Sequence, residues 1–421
     1  MKILFVLECA NWSSNGTTAT CNRFAEELIK KGHEVKVVGC QYLVPSEKPD
    51  HYVEVPYYKF PVFEGIIHKE GFNFCRCHPR YLVDSIKWAD VVHVLLPMKF
   101  GNTARLLAMA YKKPVTTAFH LQPQNITSAI HMQRDRVVNA ALYYGFRRYL
   151  YHGIRRIHCP SEMIARELRR HGYRKNDLHV ISNGVTPFFH RIESEKPKEY
   201  DGKIIVVMSG RLSSEKRQDL IIKAVARSKY NKNIQVILCG QGPKKAKYEK
   251  LAAKWGLANP LIMKFCSSEE LRNILCYTDI YIHASDFEIE GISCLEAISC
   301  GAVPVISDSK LSAANSFAIT DESIFKHGSW ESLRDRIEWM YEHEEERKEL
   351  SKRYQLKGKE YALPIMVDKL EAMFFLAVEE KRKGQDLPTL YPSKADEKKK
   401  RKLFENLLKN GFISELPESL R

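Results

Sequence analysis

The chain has 421 residues, of which 28% are charged and 44% hydrophobic, and carries a formal net charge of +15. These values exclude a wholly disordered chain, a collagen and a disulfide-stapled miniprotein, and they suit two or three globular domains. Residues 1–200 hold +11 of the excess, residues 201–378 only +1 and residues 379–421 the remaining +3. An anionic partner is therefore expected of the first half: a membrane surface, a nucleic acid or a phosphate-bearing substrate.

Residues 3–7 form a short, continuous apolar run, which predicts a buried parallel strand. After a polar loop at 11–18, Phe24, Ala25, Leu28 and Ile29 recur at helical spacing, and 35–38 is the next strand. Strand, helix and strand with short connections make a βαβ unit. Further strands are expected at 91–96, 114–119, 156–160 and 178–181. Pro187, Pro197, Gly202 and mixed charge mark 187–202 as a linker. Beyond it, strands at 204–208, 235–239, 261–265, 280–283 and 303–306 alternate with helices at 218–228 and 296–300. The fold class is α/β, with two Rossmann-like doubly wound lobes, residues 1–190 and 200–365, facing a central cleft. Ligands of such sheets bind at the carboxyl ends of the strands. Residues 330–373 read as helical, and 366–421 as a C-terminal helix returning to the first lobe plus a basic tail. In the tail, a basic run at 398–402 precedes Leu403, Phe404, Leu407 and Leu408. That spacing suits a helix docked on the body, a solvated tail or a membrane-surface helix.

The 11 cysteines are odd in number, and no Cys-x-x-Cys occurs. Cys75-Arg76-Cys77-His78 has no second pair to complete a zinc site, so no metal is expected, and reduced thiols point to the cytosol. The N-terminal apolar run is too short for a signal peptide, and no stretch approaches the length of a spanning helix. Any membrane contact is expected to be peripheral.

Three constellations carry chemistry. Ser209-Gly210-Arg211-Leu212 with Glu215 and Lys216 follows a strand; glycine lets a backbone approach closely, and the two cations suit an anion. Glu288 and Glu296 stand eight apart, the second beside Leu295 and Ala297. A carboxylate among apolar neighbours needs a partner, and a ribose diol supplies two hydroxyls to it. Gly291-Ile292-Ser293 opens a helix whose first amide groups suit a diphosphate. His120, in the segment 119–125, stands at a strand end of the first lobe.

Together with the Asn15-Gly16 loop, Lys31-Gly32-His33-Glu34-Val35, Ser182-Asn183-Gly184-Val185 and Gly301-Ala302-Val303-Pro304-Val305, these pieces resemble the retaining GT-B glycosyltransferases of family 4 over about residues 1–375. The resemblance implies transfer of a sugar from a nucleotide-diphosphate sugar with retained anomeric configuration, UDP being the family's most frequent nucleotide. It implies catalytic roles for His120, Arg211, Lys216 and Glu288. Donor binding falls to Gly16, Thr17, Gly210, Gly291, Ile292, Ser293 and Glu296. Arg211 and Lys216 would stabilise the departing diphosphate, so neither a metal nor another cofactor is required, and there is no Asp-x-Asp cluster. Glu288 is open to a nucleophilic role of the glycosidase kind; the resemblance favours front-face attack instead. Two positions depart from the family's pattern. Glu290 replaces an aromatic, which bears on sugar choice, and Asn15-Gly16 replaces a common Gly-Gly.

Residues 134–175 hold eleven basic residues with aromatics interleaved. Basic and aromatic side chains on a helix suit an anionic headgroup region. Arg147, Arg148, Tyr149, Arg155 and Arg156 are therefore the expected acceptor and membrane surface. The expected acceptor is a lipid or a lipid-linked glycan, reached by a cytoplasmic protein at the inner face of the cell membrane; the segment 119–125 followed by Ile126-Thr127 resembles a subset of the family found in bacterial cell-envelope clusters, which implies a cell-envelope glycan. No nucleic-acid module is visible, and nucleic acid is not an expected partner. The alternatives are a GT-B-fold nucleotide-sugar epimerase and a non-catalytic sugar-nucleotide-binding relative; the latter is expected to lack one of Arg211, Lys216, Glu288 and Glu296, and all four are present.

Overall fold

A computed structural model describes residues 1–8, 16–42, 45–59, 74–128, 132–384 and 394–420; Asn15 and most of the loop before Gly16 lie outside them. The chain divides into two compact units, Met1–Ile181 with Met366–Arg421, and Ser182–Ile365.

The first unit is built on β1 (Lys2–Val6), β2 (Glu34–Cys40), β3 (Tyr52–Val55), β4 (Val91–Val94), β5 (Val115–Ala118), β6 (Arg156–Cys159) and β7 (Asp177–Val180). They form one seven-stranded sheet in the order β3-β2-β1-β4-β5-β6-β7, every neighbouring pair parallel. Ile3, Leu4 and Phe5 are fully buried, as a parallel strand covered on both faces requires. The strand order reverses between β1 and β4, which makes their carboxyl ends the topological switch point of this sheet.

Two helices from the end of the chain complete this unit. On Leu363–Arg382, Met366, Val367, Leu370, Met373, Phe374 and Ala377 are buried at helical spacing. The Phe374 ring meets Phe5 and His93 at 6.1 and 5.3 Å. The basic run at 398–402 lies within helix Lys394–Lys409. Phe404 and Leu407 are buried and Leu408 is half-exposed, and the helix packs on Lys99–Ala110. Of the three readings open for the tail, docking is the one found, and its apolar face is already covered by protein. Asp396 fixes the register, accepting from Arg105 Nη1 and Nη2, both at 3.1 Å, with His152 Nε2 also at 3.1 Å.

The second unit is built on β8 (Ile204–Ser209), β9 (Ile234–Cys239), β10 (Ile262–Lys264), β11 (Ile280–His283), β12 (Phe287–Glu288), β13 (Val303–Ser307), β14 (Leu311–Ser312) and β15 (Ile324–Phe325). Its main sheet has the order β10-β9-β8-β11-β13-β15, and β12 pairs with β14. The switch point lies between β8 and β11. The segment 187–202, expected as a linker, belongs inside this unit: Phe189 and Tyr200 join its core. The backbone explains the earlier boundary. Val185 N–H donates to Tyr361 at 2.8 Å, and Leu363 N–H donates to Val185 at 2.8 Å, so the chain is captured by the second unit before residue 187.

Removing one partner of a buried ion pair costs on the order of 3–5 kcal/mol. Arg105 and Asp396 are both buried, so Asp396→Ala is expected to lower the stability of the first unit by about 3 kcal/mol, read as a lowered transition temperature in scanning calorimetry. Burial pushes the Asp396 carboxyl up, but His152 and Arg105 prevail and hold it at about 2. This pKa lies below the unfolded value of about 3.9. The stabilisation should therefore be present above pH 4 and lost as pH falls through 2.

Candidate active site

In the second unit the chain leaves β8 through Gly210-Arg211-Leu212. Gly210 N–H donates to Cys239 at 2.9 Å and Leu212 N–H to Gln241 at 3.0 Å, which ties this loop to the one after β9. A Cβ on Gly240 would stand 2.0 Å from the Gly210 carbonyl oxygen, and one on Gly242 2.5 Å from that of Leu212. The two loops meet backbone to backbone only because both positions lack a side chain.

Across the switch point, Lys216 Nζ pairs with Glu288 Oε2. Asp286 N–H donates to Glu215 at 2.8 Å, and Arg217 bonds Asp286 and Asp219, each at 3.1 Å. The loops after β8 and β11 are thus joined by one ion pair, one backbone bond and one shared guanidinium. Glu288 stands in register with Ser312 on β14. Burial pushes its carboxyl up, but the Lys216 ammonium, by its charge and its hydrogen bond, outweighs this and leaves it lowered, hence ionised. His283 Nε2 lies 4.0 Å from Glu288. Burial pushes the His283 imidazole down to about 4, so it is neutral, and neither ring nitrogen has a hydrogen-bond partner among the described residues. Ser285 and Ser312 likewise carry buried, unpartnered hydroxyls.

Gly291, at φ 104°, caps helix Ile292–Ser299 from the left-handed region, a conformation that side chains resist. As first residues of the helix, Ile292 and Ser293 have N–H groups with no acceptor inside it. Glu296 lies on the same helix, 8% exposed. Glu290 does not face this cluster in the manner expected of a sugar-choosing residue. Its carboxylate is buried, accepts from the Ser182 hydroxyl, and takes the Asn183 N–H on both oxygens at 3.1 Å. The departure at 290 therefore ties the segment 182–185 to the Glu288 loop.

The structure brings Gly210, Arg211, Lys216, Glu288, Gly291, Ile292, Ser293 and Glu296 into the second unit, while Gly16, Thr17 and His120 belong to the first. Gly16 and Thr17 open helix Gly16–Lys30. His120 follows β5; its Nε2 is buried without a partner, and its ring meets His158 edge-on at 5.2 Å. Burial pushes its pKa well down, so it is neutral. The basic segment needs correction at Arg155 and Arg156. It runs through helix Arg136–Tyr149, a 3-10 turn, β6, close to the strand expected at 156–160, and helix Glu162–Arg170. Arg156 is buried on β6 with its guanidinium on Glu380, at 2.6 Å. Arg155 bonds Asp177 at 2.8 Å, and Arg147 bonds the Gly172 carbonyl at 2.7 Å. Arg148 and Tyr149 are exposed. Sequence reasoning missed His283, Ser312, Asp286 and Arg217. The only signal for His283 was its place at the carboxyl end of a strand.

Residues 190–357 match the family model for glycosyl transferases group 1, and residues 14–187 match that for glycosyltransferase family 4. The phosphatidylinositol N-acetylglucosaminyltransferase GPI3 subunit of Saccharomyces cerevisiae (strain YJM789) is 30% identical over 154 residues, which is 35% of this chain and 33% of that protein. The match thus spans about a third of the relative's length. Sucrose-phosphate synthase from Thermosynechococcus elongatus superposes with a TM-score of 0.72 at 13% identity, covering 89% of this chain and 98% of that one. Anabaena Alr3699/HepE in complex with UDP and glucose gives 0.67 at 15% identity, covering 90% and 100%. At these identities the likeness to the solved structures is one of fold.

Burial raises the Glu290 carboxyl to about 7, above its unfolded value of about 4.3. The folded state then holds a proton that the unfolded state has released, so stability falls as pH rises from 4.5 to 7. Glu290→Gln removes this term. Its melting temperature is expected to fall less than that of wild type between pH 5 and 7.5.

Proposed function

The chain belongs to the group 1, family 4 glycosyltransferases, and from that premise we propose that it moves a sugar from a UDP-linked nucleotide sugar onto a lipid or lipid-linked glycan of the cell envelope, with retained anomeric configuration. The observation that carries this reading is the Lys216–Glu288 pair at the second switch point, next to the Gly291 turn and the start of helix Ile292–Ser299.

Each part has a job in that chemistry. A helix N-terminus favours a diphosphate through its amide groups and dipole. Arg211 and Lys216 counter the charge that grows on the diphosphate as the glycosidic bond breaks. Those cations supply what a metal would otherwise supply, so the reading includes none. Glu296 takes the ribose diol. Glu288, ionised, accepts from sugar hydroxyls, and the unpartnered His283 and Ser312 stand beside it for the same purpose. A carboxylate paired with a lysine is a weak nucleophile, which supports front-face attack with the departing phosphate oxygen taking the acceptor's proton. His120, Gly16 and Thr17 keep the donor-side roles that the family likeness gives them.

The yeast relative is named for action on phosphatidylinositol, and this supports a lipid acceptor here. No described helix is long and apolar enough to cross a membrane, and the reading places contact at the inner membrane face through Arg147, Arg148 and Tyr149. Arg156 and Arg155, engaged with Glu380 and Asp177, are left out of it.

Lys216→Ala and Glu296→Ala are each expected to slow nucleotide-sugar turnover by roughly 100-fold or more, measured as UDP release; rates equal to wild type in both would sink the assignment. The chain should also sediment with anionic vesicles at moderate salt, and the Arg147→Glu, Arg148→Glu double variant should stay in the supernatant.

A further inference from the structure

The first sheet has its own switch point, between β1 and β4, and Glu8 stands on it. Glu8 directly follows β1 and its next residue, and is 3% exposed. Its Oε1 accepts the Phe100 N–H at 2.9 Å, at the start of helix Lys99–Ala110, which follows β4. The carboxyl therefore bridges the two strands at which the order reverses, where open α/β sheets bind their ligands. Its second oxygen, Oε2, is buried and has no hydrogen-bond partner among the described residues. Such atoms are rare in folded proteins and call for a partner.

The surroundings define that partner. The Cys77 thiol approaches Oε1 at 3.5 Å, and Tyr149 lies within electrostatic reach of Glu8. Two strands further along the same carboxyl edge, about 10 Å away by strand spacing, His120 Nε2 and both amide atoms of Gln122 are also buried without partners. A carboxylate only accepts, a side-chain amide both donates and accepts, and a neutral imidazole does one of each. Hydroxyl groups satisfy all three. Above pH 7, where the Glu8 carboxyl is mainly ionised, it also repels a phosphate.

We propose that Glu8 Oε2 accepts a hydrogen bond from a hydroxyl of the acceptor's headgroup, and that the acceptor presents a neutral, hydroxyl-bearing headgroup to this edge. The inference rests on the transferase reading. Burial raises the Glu8 carboxyl to about 7 against the opposing pull of the Phe100 amide and Cys77. A hydroxyl donor on Oε2 would stabilise the ionised form further. Glu8 is a binding and specificity residue here; no proton transfer is assigned to it.

The test uses whichever of UDP-, GDP- and ADP-glucose the wild-type chain hydrolyses. Sugar transfer is followed to n-octyl β-D-glucopyranoside and 1,2-dioctanoyl-sn-glycerol, with octyl phosphate as the anionic control. One of the two neutral probes is expected to be glycosylated and octyl phosphate is not. Glu8→Gln, which keeps an oxygen for the Phe100 amide, should lower kcat/KM for that probe at least tenfold, while acceptor-free donor hydrolysis stays within twofold of wild type. Glu8→Asp, which keeps the charge but withdraws it by one methylene, should show the same split, and it serves if the glutamine variant folds poorly. Equal acceptor kcat/KM in wild type and variants overturns the inference, as does glycosylation of neither neutral probe by a chain that hydrolyses the donor; in both cases the donor reading survives. Absence of donor turnover in wild type removes the transferase reading and this inference together.

Discussion

The second unit is organised around one part-buried ion pair, Lys216 with Glu288. An ammonium and a carboxylate withdrawn from water hold each other only if the loops that carry them are fixed. Here every neighbouring feature fixes them. Gly240 and Gly242 let the loop after β9 support the loop after β8 backbone to backbone. The Asp286–Glu215 backbone bond and the Arg217–Asp286 contact fix the distance between the β8 and β11 connections. Glu290, bonded to Ser182 and Asn183, anchors the far side of the same loop. The pair also sets the protonation of its surroundings: it keeps Glu288 ionised, while burial keeps His283 neutral. A site so composed presents a cation, an acceptor and uncharged polar groups at once.

The two sheets share a topology rule but differ in what they place on it. At the second switch point stand a glycine loop, the Lys216–Glu288 pair and the start of helix Ile292–Ser299. At the first stands a single buried carboxyl, Glu8, with one oxygen used by Phe100 and one unused. This difference follows from local sequence rather than from fold, since the strand orders around β1 and β8 correspond. Equal scaffolds with unlike residues at the switch point are how one architecture can serve two chemically different substrates.

Much of this was legible in the sequence, and the reasons are physical. Parallel strands buried on both faces are written as continuous apolar runs, so β1, β8, β9, β11 and β13 were visible. β3 was not, because Tyr52–Val55 is a four-residue stretch with one acidic side chain. Arg211, Lys216 and Glu288 were legible as candidates because they stand in loops after strands, and Glu296 because a carboxylate between Leu295 and Ala297 needs a partner; the structure adds the Lys216–Glu288 pair. His283 and Ser312 were not, since a buried histidine at a strand end looks the same as a core residue until its unpartnered nitrogens are seen. The linker at 187–202 misled for a related reason. Proline and mixed charge mark irregular backbone, and irregular backbone can still pack, as Phe189 and Tyr200 do.

The charge excess in residues 1–200 has a similar lesson. From composition alone it points outward, to an anionic partner. In the fold, several of its members point inward or sideways. Arg105 is fully buried on Asp396, Arg156 is buried on Glu380, and Lys31 joins Asp368 and Glu371. All four acidic partners come from the last two helices of the chain. Those helices carry their own apolar stripes, so hydrophobic burial supplies the attraction between them and the first sheet. The ion pairs supply direction, because a carboxylate on a buried guanidinium tolerates little displacement. Part of the positive excess of the first half is therefore the counterpart of acidic residues more than 200 positions away in sequence, and only what remains is available to an external anion.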